Sequence, residues 1–302
     1  DGTKVKANAS KHKAMSYGRM GETEARLKTE IAELLRRAEA QDAAEDGQYG
    51  VERRGDELPA ELARREARLQ VIQAAKARLE ARQRAQDERD GRRGDDDGNT
   101  RGPGGKACQR PFGVPAARAQ ENFTDPDSRI MKTGDGFQQC YNAQAAVDEG
   151  SQLIVATTVT NGAADQGQLL PLVAAVHDNT GAVPTITLAD SGYASEDTFA
   201  GLEARELVAV VALGREGKAS RALDPARYPA TQRMAERLAT AEGQAHYRRR
   251  KVIPEPVFGW IKEVLGFRRF SVRGLTAVTG EWHLVCLAQN LKRLQRLGWV
   301  PA

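Results

Sequence analysis

The sequence predicts an α/β protein, a mixed sheet flanked by helices, with a charged helical hairpin inserted after the first strand. Three observations predict it: short runs of alternating or continuous apolar residues, longer segments with apolar residues every three or four positions, and the order in which the two kinds follow one another. At 302 residues the chain can form one large or two ordinary domains around a buried core.

Asp1 to Ala7 alternates lysines at 4 and 6 with smaller or apolar residues at 3, 5 and 7, the period of a half-buried strand. From about Glu22 to Ala44, Leu27, Ile31, Leu34, Leu35 and Ala38 recur at helical spacing, and Leu62, Leu69, Ile72 and Leu79 do so after Pro59. The region Gly47 to Asp56 reads as a turn, so residues 20–90 make an antiparallel hairpin with one narrow apolar seam. Residues 91–121 are dense in Gly, Pro, Arg and Asp and lack the apolar content that offsets ordering entropy, which predicts a flexible linker. Phe137 to Val147 and Gln152 to Thr160 read as strands joined by a hairpin at Asp148–Ser151. Asp165 is placed to cap a helix carrying Leu169, Leu170, Val173 and Val176, and Thr185 to Ala189 then reads as a buried strand ending at Asp190. A short helix from Glu196 to Ala204 leads into the apolar strand Leu207 to Leu213. The remainder is largely helical, with Val278, Trp282, Val285, Leu291 and Leu294 at core spacing between Leu275 and Leu297.

Composition excludes several classes. The longest apolar run, Leu207 to Leu213, is far below the roughly 20 residues of a membrane helix, so no membrane span is expected. Cys108, Cys140 and Cys286 form no C-x-x-C pair and leave an odd count, which supports neither a disulfide framework nor a structural zinc site. The simplest compartment is a reducing cytoplasm. The first residue is Asp1 and no leader follows it, so the sequence reads as a piece of a longer chain. The 45 basic and 41 acidic residues give a net charge of +4, an average that conceals a strong local asymmetry.

Between residues 246 and 273 there are eight Lys or Arg (248, 249, 250, 251, 262, 268, 269 and 273) and two Glu (255 and 263), with aromatic residues interleaved. Such a segment suits a polyanion, and nucleic acid in particular. Glu255 stands among these bases between Pro254 and Pro256. On a helix starting near Pro256, Glu255 and Lys262 would share one face two turns apart. Asp190 sits where an apolar strand ends and Ser191-Gly192-Tyr193 turns the chain, a favoured place for ligand sites in sheets with helical crossovers. Taken alone, it reads more readily as a turn or helix-capping carboxylate.

In combination these segments resemble the catalytic part of a bacterial insertion-sequence transposase of the DDE class, and are similar to members with a Y-R-E-K signature. The resemblance rests on Asp1-Gly2-Thr3-Lys4 with Lys6 to Ser10, Asn122 to Arg129, Leu188-Ala189-Asp190-Ser191-Gly192-Tyr193, and Glu255-Pro256-Val257-Phe258-Gly259 running to Lys262; it covers almost all 302 residues. It implies a ribonuclease H-like fold over residues 1–302, with Asp1, Asp190 and Glu255 as catalytic acids binding two Mg2+ ions, Mn2+ being a substitute. The Glu255-to-Lys262 spacing matches the signature. Upstream, Lys251 has the spacing of the signature Arg, whereas Tyr247 and Arg250 have the right mutual spacing one residue early. Tyr247, Arg250, Lys251, Lys262, Arg268 and Arg269 are the implied DNA contacts. The implied partners are double-stranded DNA, as element ends and target, and a second copy of the chain, in a nucleoid-associated setting. A rival is a catalytically inactive remnant that keeps DNA affinity. No catalytic role falls to His12, His177, His246, His283 or Tyr193, and Trp260, Trp282 and Trp299 read as core residues rather than base-stacking platforms.

Overall fold

Strand β1 (Gly2–Lys6) forms where the sequence alternates, with Thr3 and Val5 buried and Gly2, Lys4 and Lys6 less so. It opens a computed structural model that describes residues 1–49, 60–92, 94, 110–214, 224–250 and 252–299. The chain divides into two compact units, Ser10–Pro126 and a second made of Asp1–Ala9 with Asp127–Ala302.

The Ser10–Pro126 unit holds β2 (Ala14–Ser16), α1 (Tyr17–Tyr49), α2 (Ala60–Arg89) and β3 (Gln120–Asn122), with β2 and β3 paired antiparallel. The helices meet through Met20, Leu27, Ile72, Ala75 and Leu79, while Leu35, read as part of the seam, is exposed. Ion pairs supplement this short seam: Arg65 Nε to Glu30 at 2.9 Å and Lys76 Nζ to Glu24 at 3.0 Å. Helix α1 runs on into the residues expected to turn, through Tyr49; positions 50–56 of that turn lie outside the described residues. Within the expected 91–121 linker, residues 93 and 95–109 lie outside the described residues. The described part is anchored: the Gly113 amide donates to Asp87 at 2.8 Å and Arg92 Nη2 to the Arg110 carbonyl at 2.8 Å.

The larger unit continues with β4 (Arg129–Thr133), β5 (Gly136–Val147), β6 (Ile154–Thr160), α3 (Leu169–Thr180), β7 (Thr187–Ala189), α4 (Glu196–Glu203) and β8 (Ala209–Val211). Then follow α5 (Pro229–Ala239), α6 (Ala241–Arg249), α7 (Pro254–Gly259) and α8 (Leu275–Arg296). Strand β5 is the spine. It pairs antiparallel with β1, β4 and β6, in a register that sets Gly2 opposite Gln144 and Lys4 opposite Asn142. The single mixed sheet expected from the sequence is divided among the described residues: antiparallel pairing joins β1, β4, β5 and β6, and parallel pairing is confined to β7 and β8. Residues of both sheets, Ala145–Val147 at the end of β5 and Thr187–Ala189 of β7, line one cavity.

Helix α8 buries Val278, Trp282, Val285, Cys286 and Gln289. Leu291, expected in the core, is exposed, because the buried stripe drifts round the helix and Asn290 instead binds the backbone N–H and carbonyl of Ile154 at 2.8 and 2.7 Å. Trp282 stacks near-parallel on Phe258 of α7 at 6.4 Å, whereas Trp299 is exposed, contrary to the core reading. Helix α7 starts at Pro254, so Glu255 lies within its first turn, and the chain passes at Trp260 into a π-helical turn reaching Val264. That wider turn replaces the second of the two regular α turns expected between Glu255 and Lys262. Beyond it, Arg268–Phe270 runs alongside β1, with the Phe270 amide donating to the Lys6 carbonyl at 2.9 Å.

Candidate active site

The extended backbone of Asp190 follows directly on β7, and its carboxylate accepts the Gly192 amide at 2.8 Å, closing a tight turn over Ser191–Tyr193. Asp1 is placed by backbone pairing: its nitrogen donates to the Ala145 carbonyl at 2.9 Å and its carbonyl accepts the Ala145 amide at 2.9 Å. The two residues, 189 positions apart in the chain, line one cavity of about 590 Å³ together with Arg250, Ile253 and Pro254. Asp190, Asp165 and Arg250 all lie within electrostatic reach of Asp1. Arg250 lies over the Tyr247 ring at 5.4 Å, and its Nε is buried without a hydrogen-bond partner among the described residues. Leu169, Leu172, Val173 and Val176 of α3 give the cavity an apolar wall.

Behind Asp190 lies a polar layer that sequence reasoning missed. Asp165 does not cap α3, whose first turn is preceded by Gln168. Its Oδ1 instead accepts Asn142 Nδ2 at 2.6 Å, Gln144 Nε2 at 2.8 Å and Lys4 Nζ at 3.2 Å. Three donors from β1 and β5 outbid the local helix-capping role because they satisfy a partly buried charge. Burial pushes the Asp165 carboxyl up, but Asn142, the Lys4 ammonium and Gln144 outweigh it and hold it below the usual range. Its Oδ2 and Asp190 Oδ1 each lie 2.9 Å from where a Cβ on Gly192 would stand, so only glycine leaves this space open. Tyr193 is fully buried, donates its hydroxyl to Gln144 Oε1, and is pushed far above the normal phenol range by burial and then by Asp165 and Asp190. One signal was available: Asn142 and Gln144 interrupt the apolar half of β5 at period two, which marks a polar face inside a buried strand.

Glu255 is exposed on the first turn of α7 and is not among the residues lining the cavity, although Pro254 beside it is. One residue on an α-helix rotates by about 100°, which takes Glu255 off the face that Pro254 presents. Among the described residues no three His, Cys, Asp or Glu side chains lie close enough together to hold a metal ion. The donor chemistry of the lining, the carboxylates of Asp1 and Asp190 with an Arg250 nitrogen that is buried without a partner among the described residues, nevertheless fits a divalent cation with a phosphate. Lys262 is half-buried, and burial, then Arg268, push its ammonium down while Glu263 opposes them. Arg268 is exposed and pairs with Glu263 at 2.5 Å; Arg269 is exposed and donates to Asn8 at 2.9 Å. Lys251 lies outside the described residues.

A strand-end aspartate and a second acid thus line one cavity in a fold of mixed α/β class. The comparison with known families is specific: residues 109–291 match the model described as a transposase DDE domain, and with more than half of its length matched the chain belongs to that family. The matched span includes Asp190 and Glu255 and begins downstream of Asp1. No curated protein and no solved structure matches the chain. Among the described residues no helix is long and apolar enough to cross a membrane.

Proposed function

We propose that this chain is the catalytic part of an insertion-sequence transposase, of ribonuclease H-like fold with the hairpin at 20–90 as an insertion, that cleaves DNA and transfers the freed 3′ end. The observation that carries the proposal is the meeting of Asp1 and Asp190 in one cavity beside Arg250. Asp1, Asp190 and Glu255 would hold two Mg2+ ions, with Mn2+ as a substitute, Glu255 joining from α7. Bound there, such ions lower the pKa of attacking water and neutralise charge on the phosphate and leaving oxygen.

The chain's own residues supply the rest. Asp190 is fixed by its hydrogen bond to the Gly192 amide and keeps its second oxygen for a ligand. Arg250 Nε donates to a phosphate oxygen, and the apolar wall from α3 excludes bulk water from that contact. Tyr247, Lys251, Lys262, Arg268 and Arg269 hold the strand through its backbone, positioning it without reading sequence. Tyr193 is no nucleophile, since its hydroxyl is engaged by Gln144 and its proton is held tightly. Joining two element ends calls for two copies of the chain on DNA.

The test is an assay on labelled element ends with and without Mg2+, comparing the protein with Asp190→Asn. Loss of Mg2+-dependent nicking with DNA binding retained is the expected result; undiminished nicking by the variant overturns the assignment.

A further inference from the structure

Gln144 is fully buried, and its amide is engaged on every side. Nε2 donates to Asp165 Oδ1 at 2.8 Å and to Asn142 Oδ1 at 2.9 Å, and Oε1 accepts the Tyr193 hydroxyl. Its backbone carbonyl accepts Trp282 Nε1 at 3.1 Å. The next residue, Ala145, exchanges both backbone hydrogen bonds with Asp1, whereas Tyr193 ends the turn that begins at Asp190. The backbone at Gln144 thus belongs to the pairing that places Asp1, and its side chain grips the turn that places Asp190.

Two glycines clear the way for this link. A Cβ on Gly2 would stand 2.5 Å from Gln144 Nε2 and 2.9 Å from Asp165 Oδ1, and the amide, bonded on all sides, could not move without losing partners. Gly192 leaves the corresponding opening between Asp165 and Asp190. Gathered carboxylates repel, so their spacing needs a fixed neutral support. A glutamine meets that need where a glutamate would not, because it donates to Asp165 and accepts from Tyr193 without adding charge.

The geometry points to Gln144 as a positioning residue that sets the separation of Asp1 and Asp190, acting through Tyr193 and Asp165. This role rests on the metal-dependent reading above. Gln144→Met keeps the side chain's length and removes both its donor and its acceptor; Tyr193→Phe removes one hydroxyl from the same link and serves where the first variant folds poorly. The measurement is Mn2+ affinity by electron paramagnetic resonance, alongside thermal stability. Residues that support a metal ligand typically cost between about 10- and 100-fold in affinity when altered, the expected range for Gln144→Met, with a smaller loss for Tyr193→Phe. Mn2+ affinity equal to that of the unaltered protein in folded variants overturns the proposal, whatever happens to stability, because the link then serves packing alone. If the unaltered protein binds no Mn2+, the metal-dependent reading falls and takes this role with it. The two failures are distinguishable, since in the first the unaltered protein binds the ion and the variants match it.

Discussion

Both units hold acids at least partly out of solvent, but they treat them differently. In the Ser10–Pro126 unit, Glu121 has a fully buried side chain clamped by Arg78 at 2.7 Å and Arg82 at 2.8 Å. Asp87, almost as deeply buried, takes the Gly113 amide together with Arg92 and Arg110. In the larger unit, Asp190 has the Gly192 amide as its hydrogen-bond donor among the described residues, and Asp165 gathers all three of its donors on Oδ1. Acids saturated by arginines can do little except hold a fold. Asp190, which lines a cavity and keeps one oxygen not taken by Gly192, can accept a ligand there, and gathered carboxylates repel one another until one arrives.

The largest test of this contrast is Asp190→Asn, expected to abolish Mg2+-dependent nicking while leaving the melting temperature close to that of the unaltered protein, since the amide still accepts from Gly192. A collapse in stability instead would place Asp190 with the structural acids. Glu121→Gln is expected to do the opposite. Removing its charge strips two arginines of their partner, and because Arg78 and Arg82 are themselves partly exposed, water recovers part of the loss; urea titration should show about 2 kcal/mol of destabilisation. A smaller effect is expected from Lys262→Glu: weaker DNA binding with the slope of log K against log salt reduced by about 1. Unchanged salt dependence would remove Lys262 from the phosphate contacts.

The smallest effect is a pH dependence confined to the hairpin. Hydrogen bonds from Lys28 and Lys76 hold the Glu24 carboxyl down to about 2 from an ordinary value of 4.5. Its folded value is the depressed one, so its stabilising contribution is complete above about 4.5 and is lost as pH falls toward about 2. Thermal melts of the protein between those limits should fall with pH, and Glu24→Gln should flatten that slope. An unaltered slope in the variant would assign the acid sensitivity to other carboxylates, Asp165 among them.

Much of the fold was legible because it depends on near neighbours in sequence. The alternation at Gly2–Lys6, the apolar run of β5 and the 3.6-residue period of α8 each report a local preference that burial then reinforces. Asp190 could be singled out for the same reason, as the polar residue that ends a buried strand. The short strands β2, β3 and β4 escaped notice: β2 and β3 have three residues each, too few to display a period, and the five of β4 are interrupted by charge. Leu291 and Trp299 were read as buried because periodicity identifies a stripe but not where a neighbouring element stops covering it.

What the sequence determined by itself is the longer elements, the family to which their order belongs, and the chemical character of the acids and bases. What only the tertiary structure decided is which of those groups meet. Asp165 takes its donors from residues 21, 23 and 161 positions away, and Tyr193 finds its acceptor 49 positions back. Such pairings depend on strand register and on the direction of individual side chains, and local propensity encodes neither: a carboxylate four residues before a helix looks the same in sequence whether it caps that helix or takes its donors from two strands of a sheet.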